Sequence, residues 1–288
     1  MNIQEFQKYR ENKIHTADSF PYNTYLCSIP LDFTNVPIHW HDEVELIVIK
    51  KGIGTVLVDL EKYQVSANDV IVVLPGHLHA IRELPGYVME YENILFRSEL
   101  LFSKTDDICS DAFLHPLING NLPVEHYIHP GLSYYENFVS IVQNMDDLCR
   151  NRPTGYQLSI KGYLFQLFYL LIANQNQKAP TKSELKSLEK LKFIIGYVEQ
   201  HYAEPITISQ MAKLCYFSPS HFMKFFKSNM GTSFIQYLND YRLTMARRLL
   251  GASSLSVLEV AQQSGFDNLS YFNRLFKKKY GITPKQMR

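Results

Sequence analysis

The chain is poor in cysteine, and the four it has do not cooperate. Cys27, Cys109, Cys149 and Cys215 are scattered through 288 residues and form no CxxC pair. That pattern argues against a disulfide framework and against a structural zinc clip. A long apolar run is also missing. The longest, Tyr163 to Ala173, includes Gln166 and falls short of the roughly 20 residues that span a bilayer. Met1 to Glu11 is polar and charged, without the pattern of a secretory signal. A cytoplasmic protein with no membrane partner is expected. The sequence shows no nucleophile–base pair and no phosphate-binding loop, so neither an enzyme nor a cofactor is expected.

Net charge is nearly absent too: 29 Lys+Arg against 28 Asp+Glu leave +1. The balance hides a division. Residues 1–179 hold 13 basic and 21 acidic side chains, a net of −8, and residues 180–288 hold 16 and 7, a net of +9. Asymmetry of this kind points to an anionic partner for one half only. Length favours two domains over one.

From about residue 20 to 100 the pattern is β. Val44–Ile49 reads as a strand closed by a Lys50-Lys51-Gly52 turn, and Gly54–Leu60 as the next strand. Asp69–Leu74 and Tyr87–Phe96 follow, each set off by a Pro-Gly pair. Short strands about ten residues apart with this punctuation suggest a small barrel or sandwich. Residues 99–130 read as irregular. The period then changes to that of helices. Leu132–Arg150 places Tyr135, Phe138, Val139, Val142, Met145 and Leu148 on one face, and Tyr156–Asn174 is apolar around much of its circumference. The second of these helices offers one face to the β domain and another either to a second copy of the chain or to the same core. The polar stretch around Asn174–Ser183, where the charge changes sign, reads as a linker.

The basic half contains one pattern twice. Phe222, Lys224, Phe225, Phe226 and Lys227, with Gly231 beyond, recur as Phe272, Arg274, Leu275, Phe276 and Lys277, with Gly281 beyond, an offset of 50 (222 to 272). One helix earlier the offset slips to 49, where Phe217 matches Phe266. Boundary signals agree. Thr207 with Gln210 and Ser256 with Glu259 have capping-box spacing. Ser218-Pro219 has a cap followed by proline at the first helical position, and Asp267 or Asn268 caps the matching helix. Leu188–Tyr202 and Phe234–Leu250 read as further helices. The connections Cys215–Ser218 and Ser264–Asp267 have the length of a helix-turn-helix turn. The second helix of each unit is then a candidate major-groove reader. Arg274 suits a bidentate contact to guanine and Asn273 a contact to adenine. Lys227, Lys277, Lys278 and Lys279 suit phosphates.

These residues resemble the AraC/XylS-type transcription regulators over 191–288. The carrying residues are Ile208-Ser-Gln-Met-Ala212, Ser218-Pro-Ser-His-Phe222, Tyr237-Leu-Asn-Asp-Tyr-Arg242, Ala246-Arg247-Arg248-Leu249-Leu250, Gly265-Phe266, Ser270-Tyr271-Phe272 and Thr283-Pro284. The resemblance implies two helix-turn-helix units entering adjacent major grooves, about 34 Å apart. It assigns base contacts to Ser220, Met223 and Lys224 and to Leu269, Ser270, Tyr271, Asn273 and Arg274. It further implies a homodimer acting as an activator, with RNA polymerase as a partner. The two tips differ, so the DNA site expected for one monomer is asymmetric, with the second reader supplying more hydrogen bonds.

In the acidic half, His39-Trp40-His41 with Glu45, and Pro75-Gly76-His77-Leu78-His79, resemble the two motifs of cupin barrels. The resemblance implies that His39, His41, Glu45 and His79 converge. Residues 39, 41 and 45 share parity, so one strand would aim all three inward. The residues leave three uses open: a metal-free pocket for a small effector such as a sugar, a site for Zn, Fe, Mn or Ni that would make the barrel a metal-dependent sensor or enzyme fused to the DNA-binding module, or packing alone. His115, His126 and His129 read as ordinary surface or core residues. The expected fold is α+β: a cupin-like ligand-binding barrel over 1–130, a helical dimerisation segment over 131–174, a linker over 175–187, and an all-α double helix-turn-helix domain over 188–288. The expected partners are double-stranded DNA and a small-molecule effector.

Overall fold

A computed structural model describes residues 19–32, 35–59, 61–175, 181–253 and 255–287. The N-terminal stretch read for a signal, the Leu60 strand end and residues 176–180 of the expected linker lie outside the described residues. The chain divides into two compact units, Met1–Leu185 and Lys186–Arg288.

The first unit is an antiparallel β structure. Its strands are β1 (Tyr22–Ile29), β2 (Asn35–His39), β3 (Glu43–Val58), β4 (Glu61–Ser66), β5 (Val70–Val73), β6 (His79–Arg82), β7 (Met89–Arg97) and β8 (Tyr127–Ile128). The main path runs β1-β7-β3-β5-β8, with β6 joining β2 to β3 and β4 also pairing with β3. The turn expected at Lys50-Lys51-Gly52 is a bulge instead. The register of β3 against β7 shifts between Ile49 and Lys51, and the strand continues through to pair with β4 and β6. Gly52 sits at φ +81°, and a Cβ there would meet the Val88 carbonyl oxygen. A left-handed glycine serves a bulge as well as a turn, and here it bends one strand to join two sets of partners.

Both faces of the central strands are buried, which is why they read as unbroken apolar runs. Val44, Leu46, Val48, Val70 and Val72 face a core shared with two helices. Ile47, Ile49, Ile71 and Val73 face the barrel interior with Tyr91 and Met89. Residues 99–130 are largely irregular, with a π-turn at Ser110–Leu114 running into the single helical turn α1 (His115–Ile118). The two covering helices are α2 (Tyr135–Asn151) and α3 (Tyr156–Ala173). Between them, Arg152 at φ 45° and Gly155 at φ 79° break the helical path. Helix α2 buries Tyr135, Phe138, Ile141, Val142 and Met145. Helix α3 buries Ile160, Leu164, Leu167, Phe168 and Leu171, and leaves Leu158, Phe165 and Tyr169 exposed on another face. Lys50 pairs with Glu92 at 2.7 Å and with Asp146, pinning β3 and β7 to α2.

Helix α4 (Lys182–His201) begins earlier than expected. Thr181 and Glu184 form a reciprocal cap: the Glu184 amide donates to Thr181 Oγ1 (3.2 Å) and the Thr181 amide to Glu184 Oε2 (2.7 Å). Residues 182–187 are therefore helix, not linker. In the second unit follow α5 (Ile208–Leu214), α6 (Pro219–Met230), α7 (Phe234–Ala252), α8 (Val257–Gln263) and α9 (Leu269–Tyr280). Ser256 and Glu259 form the expected box. Thr207 caps α5 by accepting from the Gln210 backbone N–H at 3.1 Å, but the Gln210 side-chain Nε2 donates to Tyr197 Oη at 2.8 Å instead of returning to the cap. Ser218 and Asn268 cap α6 and α9, and left-handed Gly231 and Gly281 end them. No helix among the described residues is long and apolar enough to cross a membrane.

Candidate functional site

Each reader helix is held by rings along its inner face. On α6, Phe222 and Phe226 are fully buried and meet Phe234 edge-on at 5.2 and 5.4 Å. On α9, Phe272 and Phe276 are fully buried, with Phe266 5.2 Å from Phe272. The outer faces follow from helical spacing. Ser220, Met223, Lys224 and Lys227 are exposed on α6, and Ser270, Tyr271, Arg274 and Lys277 on α9. Asn273 is half-buried. Leu269 is half-buried and packs on the core of the second unit, so less of it faces outward than the resemblance implies.

Lys279 does not stand with the lysines expected to meet phosphates. Its Nζ donates to the Asp240 carbonyl (2.7 Å) and to Thr244 Oγ1 (3.2 Å), both on α7. Burial pushes its ammonium down to about 8, against the pull of Asp240. It is a strut, placed inward because three consecutive lysines cannot all lie on one helix face.

Three residues that carry the resemblance are also anchors, a role the sequence reading did not give them. Arg242 donates to the Tyr202 carbonyl and to the Glu204 carbonyl, both at 2.7 Å. Gly265, at φ +80°, lies so close that a Cβ would sit 2.5 Å from the Tyr202 oxygen. Asn239 Nδ2 donates to Tyr271 Oη at 3.0 Å. The signal available was the polar face of α7, whose 3.6-residue period leaves Asn239 and Arg242 together.

In the barrel the four expected residues come together. Each offers one ligand atom, and these atoms all lie within 4.8 Å of one another. One inward-facing strand does not explain it: His39 ends β2, His41 lies in the connection, Glu45 belongs to β3 and His79 starts β6. Convergence comes from β2 and β6 pairing at His39 and His79. His41, Glu45 and His79 are 5%, 3% and 0% exposed.

The protons can be placed from the partners. His39 Nδ1 donates to the Pro37 carbonyl (2.9 Å), His41 Nδ1 to the Glu43 carbonyl (3.1 Å) and His79 Nδ1 to the His77 carbonyl (3.0 Å). A carbonyl oxygen only accepts, so every Nδ1 carries hydrogen and every Nε2 is left for the cluster. Glu45 Oε2 lies 3.0 Å from His41 Nε2 and 2.9 Å from His79 Nε2. The His79 contact lacks hydrogen-bond alignment, leaving that buried nitrogen unsatisfied. Burial works against charge on Glu45, but its contacts with His41 and His79 outweigh it and hold the carboxyl well below the usual range. Burial likewise opposes charge on His41, and Glu45 reverses the balance, raising it. Burial together with the His79 and His41 rings pushes His39 well down.

Tyr25 and Asn93 extend this polar end and were missed. They face each other across β1 and β7, and burial with the Glu45 charge raises the Tyr25 phenol. Asn93, a fully buried amide just before the apolar Ile94-Leu95-Phe96 of β7, was the readable sign.

Two family profiles match the chain: an AraC-like ligand binding domain over residues 32–134 and a helix-turn-helix domain over residues 211–288. The uncharacterized HTH-type transcriptional regulator YdeC of Bacillus subtilis is 26% identical over 279 residues, 96% of this chain and 95% of its own. The HTH-type transcriptional activator RhaS of Escherichia fergusonii is 24% identical over 282 residues, 96% of each chain. Among solved structures, the C-terminal domain of the two-component response regulator yesN from Fusobacterium nucleatum is 35% identical. That match covers 35% of this chain and 98% of that one, with a TM-score of 0.34.

Proposed function

This chain belongs to the AraC family of helix-turn-helix transcription regulators, and from that premise we propose that it is a dimeric, effector-responsive activator working in the cytoplasm. Binding to double-stranded DNA and to a small-molecule effector follows from its two domains. The finer reading is ours. The observation that carries it is the pair of capped reader helices whose outer faces differ, α6 presenting Met223 and Lys224, and α9 presenting Asn273 and Arg274. Arg274 and Asn273 read base edges in the major groove. Lys227 and Lys277 hold phosphates, and Met223 meets thymine methyls. One monomer reads two unlike half-sites in tandem. Activation is supported by the similarity to the transcriptional activator RhaS, and RNA polymerase is the partner that activation requires. Dimerisation rests on the α3 face of Leu158, Phe165 and Tyr169, where residues 7 and 4 positions apart form an exposed apolar stripe. The effector is a polyhydroxy compound such as a sugar. Tyr25, Asn93 and the histidine end of the barrel supply donors and acceptors for hydroxyls. The barrel acts as a sensor and not as an enzyme: effector binding favours one of two states of the dimer, and that differential affinity is the whole signal. Thermal-shift screening against a sugar library tests this. A ligand whose stabilisation disappears in Asn93→Ala supports it, and a screen with no responder counts against it.

A second reading has its own observation, the unsatisfied His79 Nε2 facing a carboxylate amid two further Nε2 atoms. Backbone carbonyls fix all three rings with Nε2 inward, the second-shell arrangement of metal-binding histidines. Donors opposite one another across an ion bound at about 2.1 Å sit about 4.2 Å apart, so the present spread needs only a slight contraction. Three imidazoles and one carboxylate suit Zn, Fe, Mn or Ni. The cation would engage the His79 nitrogen and take the place of the His41–Glu45 proton. Elemental analysis of purified protein, before and after incubation with each metal, decides. Stoichiometric metal that is lost in His79→Ala supports this reading, and none under any condition removes it.

A further inference from the structure

The second reader helix carries a device that its own sequence does not reveal. Tyr271 and Arg274 are three residues apart on α9 and share a face. The Arg274 guanidinium carbon lies 5.3 Å from the centre of the Tyr271 ring, within the range of a cation–π contact. The Tyr271 hydroxyl is not free: Asn239 Nδ2, from α7, donates to it at 3.0 Å. The ring also lies 6.4 Å from Phe266, in the turn before α9. Tyr271 is 37% exposed, so packing alone does not fix it, and the amide supplies a directional tie from a second helix.

We infer that Asn239 and Tyr271 are positioning residues for Arg274: the amide holds the phenol, the phenol ring holds the guanidinium, and Arg274 reaches its base pair already ordered. Two distances, 5.3 Å from guanidinium to ring and 3.0 Å from amide to hydroxyl, define the geometry, and the chemistry follows from the long arginine stem. An unrestrained arginine loses its rotamer freedom when it makes a bidentate contact. A guanidinium resting on a fixed ring has already lost part of it, and is aimed by the same contact. Asn239 thus contributes to sequence discrimination without touching DNA. Tyr271, which the family resemblance reads as a base contact, acts through its neighbour instead. In the first helix-turn-helix the matching position is His221, whose ring rests on Phe217 at 4.3 Å, and the residue matching Arg274 is Lys224. The device therefore belongs to the second reader, where a planar fork profits from fixed orientation.

The inference rests on Arg274 as a base reader, and the experiment separates the two. Duplex DNA is first selected from a randomised library with the full-length protein. Relative affinities are then measured for every single base-pair variant of the selected site, at several salt concentrations. Arg274→Ala identifies the base pair that Arg274 reads. Tyr271→Phe and Asn239→Ala are each expected to lower discrimination at that same base pair by about 2- to 12-fold, the cost of immobilising one long side chain. The double variant should lose no more than either single one. In an Arg274→Ala background both should be silent there, and the salt slope should stay unchanged, because no phosphate contact is removed. Thermal unfolding of Asn239→Ala within a few degrees of the parent shows that the fold persists. Unchanged discrimination at the Arg274 base pair in both variants overturns the inference while leaving the reader assignment intact. So does a uniform loss across all sequences with a shallower salt slope in Tyr271→Phe alone, which would make the hydroxyl a direct phosphate donor. If Arg274→Ala changes no position, the reader assignment fails and the positioning role falls with it.

Discussion

Replacing Gly265 by alanine should damage the helical unit far more than the same change at Gly281, although both glycines end or follow a helix in the left-handed region. At Gly281, φ is +75° and an added Cβ meets nothing within 4 Å. The cost there is the backbone preference alone, about 1 kcal/mol. At Gly265, φ is +80°, and a Cβ would sit 2.5 Å from the Tyr202 carbonyl oxygen and 2.8 Å from Arg242 Nε. The arginine is not a loose surface chain that can swing away. It donates at 2.7 Å to Tyr202 and at 2.7 Å to Glu204, joining α7 to the end of α4. Displacing it endangers two hydrogen bonds from a charged donor, each worth about 1.5–3 kcal/mol when one partner is charged. Gly265→Ala should therefore cost about 3–5 kcal/mol where Gly281→Ala costs about 1. Urea unfolding followed by far-UV circular dichroism measures both, and the sole tryptophan, Trp40, reports separately on the barrel. A third variant sharpens the comparison. Tyr216 occupies the matching place in the first turn at φ 57° and is 93% exposed, so Tyr216→Gly should cost nothing measurable. The reasoning is refuted if Gly265→Ala and Gly281→Ala prove equally destabilising.

Lys279 titrates near 8 in the fold because it is buried, whereas an unfolded lysine titrates near 10.4. Between those values the unfolded chain binds more protons, so stability of the helical unit should rise with pH from about 8 to 10. Lys279→Met should flatten that rise in thermal unfolding across the same range. Leu158→Glu combined with Tyr169→Glu places charge on the exposed stripe of α3, and light scattering should find monomer where the parent is dimeric, with barrel stability retained. Lys50→Met leaves the Glu92 and Asp146 carboxylates facing each other, each 12% exposed. The barrel should lose on the order of 3 kcal/mol, as expected on breaking a buried ion pair from one side, and urea unfolding followed at Trp40 would show it.

What could be read directly was whatever depended on local period or local capping. The Phe222/Phe226 and Phe272/Phe276 pairs repeat at helical spacing, so both reader helices and their inward faces were visible before any coordinates. Caps at Ser218 and Ser256 were equally legible, and the last was narrowed to Asp267 or Asn268, because a cap is satisfied within four residues. Thr207 shows the limit: its hydroxyl did cap, but Gln210 found a partner on another helix. Strand β3 was misdivided for a related reason. Lys-Lys-Gly is compatible with a turn or a bulge, and only the pairing with β7 through Gly52, and with β4 and β6 beyond it, decides which. The four barrel residues were expected to converge, and they do, but by a different route. Parity along one strand was invoked, but the residues arrive from three strands and a connection through the β2–β6 pairing. Tyr25 and Asn93 lie opposite each other only once β1 pairs with β7, a non-local fact.

The repeat is a shared scaffold fastened in two different ways, and the fastening matches what each reader is asked to do. Helix α6 meets α7 through rings: Phe222 and Phe226 against Phe234, with Tyr237 5.5 Å from Phe226. Ring packing is strong but only loosely directional. The second helix-turn-helix adds polar ties from α9 to the same helix α7, Tyr271 to Asn239 and Lys279 to Asp240 and Thr244, while Arg242 clasps the turn that launches α9. Hydrogen bonds fix rotation as well as distance. Apolar contact with a thymine methyl, the role given to Met223, tolerates a small rotation of its helix. A bidentate fork such as Arg274 does not, since both N–H groups must align at once. The unit with the more demanding chemistry is thus the one whose helix is held by directional bonds. Gly265 is the residue that makes this possible, because only a position without a Cβ leaves Arg242 room to clasp the turn.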